Sequence, residues 1–556
     1  MSSALYLLVC FCFIYVDSKQ FIVRTSNGKL RGFTAETILG RVIQFLGVPY
    51  AKPPVGPLRW QQPEPPDMWD GVRSAEDFGP SCPQKFTTQL THIYPKEFVR
   101  ARIQNQKINE DCLFLNIYVP KAVEVNRYDL LPVFVFKHGG KYEWGSGTEY
   151  NGTFLALQGN IIVISFNYRL NIFGFLSNGE PELGGNYGMF DTVRVLEWVQ
   201  TNIRAFGGDP SRVTLGGESA GGVTVDIFLS VSPIMRNRRL FQRAIASAGP
   251  HVLRGHKFFK GLTVQNTMNI ASLLNCSFPA GQQMVSCLRQ KTTRELMSAF
   301  YQYKGESVFS GNVLVPYGDG IIIDKEVTEY PGRYAYGIEY MLGTCRRDSG
   351  LWFGVAGNES QPYIEIAKGF TKGLVEFLYP GAPDYMTDVA IFEYTSPNIK
   401  SSHEAWLELW QDLFFLAPAW EHALLWPDNS SVYFYEFVHK PSFSVYPHYV
   451  NGASHMEELH FFFGDVLDSS LFPTKPTEKE VELSKQVMTA IGNFVRTGNP
   501  NVLSRSVTSC MPHWPRIDDV RGQYLEWTVE MTSANVKRDL KPRKMEFWNA
   551  LFPKSL

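Results

Sequence analysis

The sequence is poor in the residues that mark several specialised classes of protein. Its 556 residues include only 8 cysteines, too few for a scaffold held mainly by disulfides. The 53 basic and 54 acidic side chains nearly cancel, so the composition offers no basic surface for nucleic acid. Aromatic residues reach 14% while charged residues stay at 19%, which excludes an intrinsically disordered chain.

Motifs for cofactor and metal chemistry are missing as well. The chain has no phosphate loop of P-loop spacing, no dinucleotide fingerprint and no His-Glu-x-x-His helix. His455 and His460 are five residues apart, a spacing that does not place two imidazoles on one helical face. We therefore expect neither a cofactor nor a metal ion.

The first eighteen residues differ in kind from the rest of the chain. Ala4 to Val16 is an apolar run of thirteen residues, too short to span a bilayer comfortably, and Val16-Asp17-Ser18 follows as a signal-peptidase pattern. A buried N-terminal strand is the alternative. We predict a secretory signal peptide at residues 1–18 and a single mature domain at residues 19–556, secreted to the extracellular space.

Four glycan acceptor triplets agree with a secretory route. They begin at Asn151, Asn275, Asn358 and Asn429. No stretch after the first eighteen residues reaches the roughly 18 uncharged apolar residues of a membrane helix. The sequence thus predicts a secreted glycoprotein without a membrane span.

Runs of β-branched and aromatic residues alternate with helical periodicity, which indicates an α/β fold. The predicted strands are Leu113–Val119, Pro132–Phe136, Ile161–Phe166, Val213–Leu215 and Val432–Phe437. These short apolar runs are typical of a mostly parallel sheet covered by helices on both faces. Glu478–Arg496 is predicted to be a helix that ends before Gly498 and Pro500.

The most informative segment is Gly217-Glu-Ser-Ala-Gly221, which follows a predicted strand and precedes the helical run Val223–Leu229. A Gly-x-Ser-x-Gly turn of this kind exposes its serine hydroxyl, and the glycines leave room where side chains would clash. A plain turn serine is the alternative, which the strand–turn–helix context disfavours. Ser219 is therefore the predicted nucleophile.

A serine needs a base and an orienting acid, which in this type of site follow in the order Ser, Asp or Glu, His. Asp348 comes directly after an apolar run, and His455 lies in a polar loop after the predicted strand Val432–Phe437. Taken singly, a histidine is more often a surface or capping residue, and an aspartate in such a loop is usually a turn residue. Their order and context together predict an acid at Asp348 and a base at His455.

Several longer segments carry a family resemblance over about residues 22 to 552. They are Phe45-Leu-Gly-Val-Pro-Tyr-Ala-Lys-Pro-Pro54, Glu110-Asp-Cys-Leu-Phe-Leu-Asn116, His138-Gly-Gly140, Gly185-Asn-Tyr-Gly188, Phe206-Gly-Gly208, Gly217-Glu-Ser-Ala-Gly221 and Phe463-Gly464. The chain resembles a type-B carboxylesterase, a cholinesterase-like member of the α/β-hydrolase superfamily. The resemblance implies a secreted serine esterase that acts on a small-molecule or lipid ester.

The same resemblance implies a role for each site residue. Ser219 would attack the ester, His455 would act as general base, and Asp348 would orient it, although the family more often has Glu as the acid. The oxyanion would be bound by main-chain amides. These would belong to Gly139, Gly140, Lys141 and Ala220.

Lys141 departs from the family pattern, which has glycine or a small residue at this place. Its amide remains as a donor, but its side chain adds bulk and charge, and a positive φ there would be strained. We hypothesise that Lys141 narrows the substrate range and favours esters with an acidic portion. The alternative is that its long side chain extends into solvent.

The resemblance also implies two disulfides, Cys82 with Cys112 and Cys276 with Cys287. Cys345 and Cys510 are then left over, as free thiols, a new pair or an intermolecular link.

The cholinesterases that the chain resembles hold a quaternary ammonium on a Trp in the loop between the first two cysteines. The segment between Cys82 and Cys112 contains no Trp, so a choline ester is a poor candidate substrate. The second candidate function is an adhesion or binding protein that keeps the fold with weak or absent catalysis.

Overall fold

The computed structural model describes most of the chain after the predicted signal peptide. The described residues are 21–85, 91, 93–120, 130–236, 239–249, 256–278, 281–305, 313–324, 332–352, 363–379, 381–395, 402–427, 430–501, 511–517 and 522–554. The predicted signal peptide, the acceptors Asn358 and Asn429, and Cys510 lie outside these ranges.

One sheet runs through the described residues and contains thirteen strands. They are β1 Phe21–Arg24, β2 Lys29–Thr37, β3 Gly40–Pro49, β4 Val72–Ser74, β5 Phe114–Pro120, β6 Leu131–Lys137, β7 Ile162–Phe166, β8 Gly208–Glu218, β9 Arg243–Ser247, β10 Glu339–Cys345, β11 Val432–Phe437, β12 Gln523–Trp527 and β13 Val536–Arg538. All five predicted strands are present, and β11 has the predicted bounds.

The strands follow the order β1-β2-β3-β5-β7-β6-β8-β9-β10-β11-β12-β13, with β4 paired to β2. From β7 to β12 every neighbouring pair is parallel, while the pairs from β1 to β7 and the last pair are antiparallel. Parallel neighbours bring their carboxyl ends to one edge of the sheet. The loops after β6, β8, β9, β10 and β11 therefore start at the same edge.

Helices cover the sheet, as the fully buried strands β5, β6, β7 and β11 require. The longer helices are Thr153–Gly159, Tyr187–Asn202, Ala220–Ser230, His256–Leu273, Gln282–Arg289, Thr293–Lys304, Tyr363–Leu378, Asp384–Tyr394, Ser402–Trp410, Ala417–Leu424 and Glu478–Thr497. Shorter ones are Lys96–Phe98, Asn171–Phe175, Pro233–Arg236, Leu459–Phe462, Pro542–Glu546 and Phe552–Lys554. The α/β layering predicted from the sequence is confirmed.

The ends of the helix Glu478–Thr497 are fixed by residues that the sequence pattern identifies. Thr477 and Glu480 form a capping box at its start, and Gly498 ends it with a φ of 79°. It packs on β6 and β8. The predicted helix, Glu478–Arg496, is therefore confirmed to within one residue.

Two disulfides join Cys82 to Cys112 and Cys276 to Cys287, the pairs that the resemblance implies. Cys345 is a free, buried thiol at the end of β10. Within the described ranges, no helix is both long and apolar enough to cross a membrane.

Candidate active site

Ser219 occupies a sharp turn between β8 and the helix Ala220–Ser230. Its backbone has a φ of 52° and a ψ of −123°, outside the regions that L-residues usually adopt. A Cβ atom added at Gly217 would collide with the main chain of Gly221. A Cβ atom added at Gly221 would collide with the main chain of Lys137. The turn therefore requires its flanking glycines, as a nucleophile elbow does.

Asp348 lies in the loop after β10 and is fully buried. Its Oδ2 atom accepts a hydrogen bond of 2.8 Å from the Cys345 amide. Its Oδ1 atom lies 2.8 Å from Nδ1 of His455. The structure thus brings the predicted acid and base into hydrogen-bond contact.

His455 lies in the loop after β11, and only 2% of its surface is exposed. The loop is tied to the acid loop by a 2.8 Å hydrogen bond from the Arg347 amide to the Ala453 carbonyl. The second ring nitrogen, Nε2, lies 3.0 Å from Oε1 of Glu218, the residue before the elbow serine. Among the described residues, no hydrogen bond joins this nitrogen to the Ser219 hydroxyl.

The imidazole therefore lies among buried carboxyl groups. In order of decreasing effect on the ring, they belong to Glu218, Asp348 and Glu458. Burial alone lowers the pKa of His455, but these charges outweigh burial and raise that pKa to about 9. Burial also raises the pKa of the carboxyl groups of Glu218, Asp348 and Glu458. The cationic imidazole is thus stabilised by the protein itself.

The predicted oxyanion loop follows β6 and lies against the elbow. A Cβ atom at Gly139 would be 2.9 Å from Cβ of Ser219. Gly140 has a φ of 92°, Lys141 of 60° and Tyr142 of 63°, so the positive φ considered for Lys141 is present. Ala220 begins the elbow helix, where the first N–H groups have no partner within the helix. Gly139 and Ala220 thus lie close to the candidate nucleophile, and the other two candidate donors follow Gly139 directly on the same loop.

Lys141 is only partly exposed. Its side chain therefore does not extend into solvent along its whole length. Burial lowers the pKa of Lys141 to about 8, against the charge of Glu143, and the charge of Lys304 lowers it further. Glu143 and Lys304 themselves form a buried ion pair of 2.9 Å. Two lysines and one carboxylate therefore lie together beside the oxyanion loop.

Several residues that support the site escaped the sequence analysis. Gln84 holds the oxyanion loop by accepting from the Gly145 amide at 2.7 Å and donating to its carbonyl at 2.9 Å. Tyr168 donates to the His138 carbonyl at 3.0 Å.

Glu218 stood inside the quoted motif, but nothing in the sequence indicated its contact with His455. Single polar residues in loops and strands do not indicate their partners.

The two described glycan acceptors differ in their surroundings. Asn275 is exposed, whereas Asn151 is half-buried and its side-chain oxygen accepts from the Thr153 amide at 3.0 Å. No cluster of three potential metal ligands occurs in the part of the chain that the structure describes.

Comparison with known proteins identifies the family. The model of the carboxylesterase family matches residues 19–548. A medium-chain fatty acyl-CoA hydrolase precursor from Anas platyrhynchos is 34% identical over 549 residues, which cover 96% of this chain and 93% of the relative. Liver carboxylesterase 1 from Oryctolagus cuniculus is 34% identical, with 96% and 94% covered. Neuroligin-2 from Mus musculus is 33% identical, with 96% and 68% covered. The family predicted from the sequence motifs is confirmed, and the mixed thirteen-stranded sheet flanked by helices agrees with it. The chain belongs to the carboxylesterase family, within the cholinesterase-like α/β-hydrolases.

Proposed function

We propose that this protein is a serine esterase that hydrolyses carboxylic esters through an acyl-enzyme intermediate. The observation that carries the proposal is the contact of Asp348 with His455 beside the elbow that holds Ser219, on loops that start at one edge of the sheet. The elbow presents the serine, and a 2.8 Å contact joins the acid to the base. Ester hydrolysis is the chemistry that such a constellation performs in this superfamily.

In the proposed reaction, His455 Nε2 exchanges its contact with Glu218 for one with the Ser219 hydroxyl. It takes the hydroxyl proton as Oγ attacks the ester carbonyl, and the amides of the oxyanion loop and Ala220 bind the negative oxygen. The tetrahedral intermediate then expels the alcohol, which receives the proton from His455. Water repeats the attack on the acyl-enzyme, and the carboxylic acid leaves. No cofactor is required.

We further propose that the protein is secreted and glycosylated. The apolar run Ala4 to Val16, the acceptor triplets and the two disulfides together support this location, because disulfides persist in oxidising compartments. An N-terminal sequence that begins at Lys19 in material collected from the medium is the expected result. Retention of the first eighteen residues would contradict it.

The test of the esterase proposal is hydrolysis of p-nitrophenyl esters by the full chain and by Ser219→Ala. The acyl groups range from acetyl to medium chain, since one relative bears the name of a medium-chain acyl hydrolase. We expect Ser219→Ala to lose at least about 10⁴-fold in kcat. Ser211→Ala, an exposed serine on the same strand, is the matched control and retains activity.

A second candidate function is adhesion through the protein surface, favoured by the 33% identity to neuroligin-2. The two functions predict different results with folded, full-length protein. Turnover that disappears in Ser219→Ala supports the esterase. A folded parent that neither hydrolyses these esters nor reacts with a fluorophosphonate at Ser219 overturns the esterase and favours adhesion.

A further inference from the structure

A glutamine that the sequence analysis did not single out lies beside the candidate acid. Gln411 is fully buried and begins a π-helical segment, Gln411–Leu416, between the helices Ser402–Trp410 and Ala417–Leu424. A π-helical turn is rare and often occurs at functional sites. Its place in the fold therefore makes the Gln411 side chain a candidate part of the site.

The Gln411 amide contacts the acid loop at three points. Its Oε1 atom accepts from the Ser349 amide at 3.1 Å, and its Nε2 atom donates to the Cys345 carbonyl at 2.8 Å. The same Nε2 atom lies 3.5 Å from Oδ2 of Asp348. The contacts thus fall on both sides of the acid and on the acid itself.

These contacts decide where the Asp348 carboxylate can lie. One of its oxygens faces His455 and the other faces the Cys345 amide, so Gln411 closes the remaining side. An aspartate reaches one methylene less far from its main chain than the glutamate that the family more often uses. The loop around a shorter acid must therefore be held in a fixed place for its carboxylate to meet the imidazole.

We propose that Gln411 is a positioning residue for Asp348, and that its side chain fills the space that a glutamate at position 348 would need. The proposal deepens the esterase function and rests on it. The residues at positions 348 and 411 then depend on each other. Aspartate at position 348 requires the buried glutamine at position 411, and glutamate at position 348 requires a smaller residue at position 411. Close packing of the buried site supports this exclusion, because an added methylene in a filled interior forces its neighbours aside.

The test is a double-mutant cycle with Gln411→Ala and Asp348→Glu. We expect Gln411→Ala to lower kcat about 10²-fold with KM little changed, because a misplacement of about 1 Å in a supporting residue has that effect on catalysis. Asp348→Glu alone should lose at least as much, through its clash with Gln411. The double variant should exceed both single variants in kcat, a recovery that simple loss of stability does not produce.

Asn493→Ala is the matched control, since Asn493 is also a buried helical amide, bonded to the Pro500 carbonyl at 2.9 Å. It should lower stability without changing kcat. A double variant that does not exceed both single variants in kcat would overturn the proposal. So would Asp348→Glu that is as active as the parent while Gln411 is intact.

A second measurement separates this inference from the esterase function. We expect the proton shared by His455 Nδ1 and Asp348 to give a far-downfield proton NMR signal, with Asp348→Asn as the reference that lacks it. We expect Gln411→Ala to lose the signal and the double variant to regain it, even in a parent without turnover. A signal unchanged in Gln411→Ala overturns the positioning role, whereas absent turnover overturns only the esterase.

Discussion

The two turns that meet at the candidate site both place non-glycine residues at positive φ, but with different neighbours. The elbow follows β8 and the oxyanion loop follows β6, and these strands are neighbours, with Lys137 paired to Gly217. In the elbow, Ser219 has a positive φ and glycines surround it. In the oxyanion loop, Lys141 and Tyr142 carry side chains at φ values of 60° and 63°.

The difference shows where each turn tolerates change. The elbow is limited by close approach of main chains, so its glycines have no substitute. In the oxyanion loop, Gly140 has the same limit, since an added Cβ would collide with the Trp144 carbonyl. Lys141 and Tyr142 are limited only by backbone conformation, at a cost of about 1 to 2 kcal/mol per left-handed residue. Burial of Tyr142 and its hydroxyl contact of 3.3 Å with Thr224 offset part of that cost. Positions 141 and 142 can therefore vary in sequence where the elbow glycines cannot.

The strongest test of this contrast is Gly221→Ala in the elbow. Its new Cβ would collide with the Lys137 carbonyl and lie 3.0 Å from the His138 carbonyl, both at the base of the oxyanion loop. We expect the free energy of unfolding to fall by about 3 kcal/mol, because main-chain atoms cannot move aside easily. Thermal and urea unfolding measure it. Gly261→Ala, at a helical glycine with open space around it, is the control, and equal stability of the two variants would contradict the prediction.

The next effect concerns Glu218, which belongs to the elbow but contacts the base. His455 must be neutral to accept the serine proton, and its raised pKa means that activity falls as the pH drops through that value. Removing the charge in Glu218→Gln lowers the pKa of His455. The acid limb of the kcat/KM profile should then move to lower pH by about one unit.

The exposed Glu478→Gln is the matched control for this change of charge and should leave the profile in place. A profile that is unmoved in Glu218→Gln, or moved to higher pH, would show that Glu218 does not act on the imidazole.

The smallest effect is expected from Lys141→Gly in the oxyanion loop. Relief of left-handed strain and the flexibility of glycine nearly cancel, so stability should change by less than about 1 kcal/mol. Turnover of small neutral esters should rise between about 2- and 10-fold as bulk is removed. The preference for a p-nitrophenyl ester that carries a carboxylate should fall with the loss of the lysine charge.

Lys141→Ala separates the two causes, because it removes charge and bulk but keeps a Cβ in the left-handed backbone. Selectivity that is the same in Lys141→Gly and in the parent would refute a role for Lys141 in substrate choice.

The strands were predictable where the chain is continuously apolar. β11 coincides with its predicted bounds, whereas β8 runs from Gly208 to Glu218 although only Val213–Leu215 was predicted. The part of β8 that was not predicted contains Asp209 and Arg212. Their polar side chains interrupt the hydrophobic pattern by which a strand is recognised. β6 pairs with Gly208 and again from Val213 to Gly217, with a shift of register between, so pairing on either side of that stretch supplies what local sequence does not indicate.

The candidate site divides in a similar way. Ser219, Asp348 and His455 were predictable because their order and flanking strands have a recognised form. Gln411 was not, since it lies 63 residues from Asp348 and sits within a helical stretch like any buried polar residue. Partners of this kind become visible only when the sheet places distant loops together.

The distance along the chain between the acid and the base has a consequence for biosynthesis. The elbow needs only β6, β8 and β9, all of which are translated before residue 250. The acid follows much later, and the base a further 107 residues after the acid. Because domains form as the polypeptide emerges, a nascent chain carries its serine without the means to activate it until residue 455 has been added. Hydrolytic competence would thus arise late, when the last strands join the sheet.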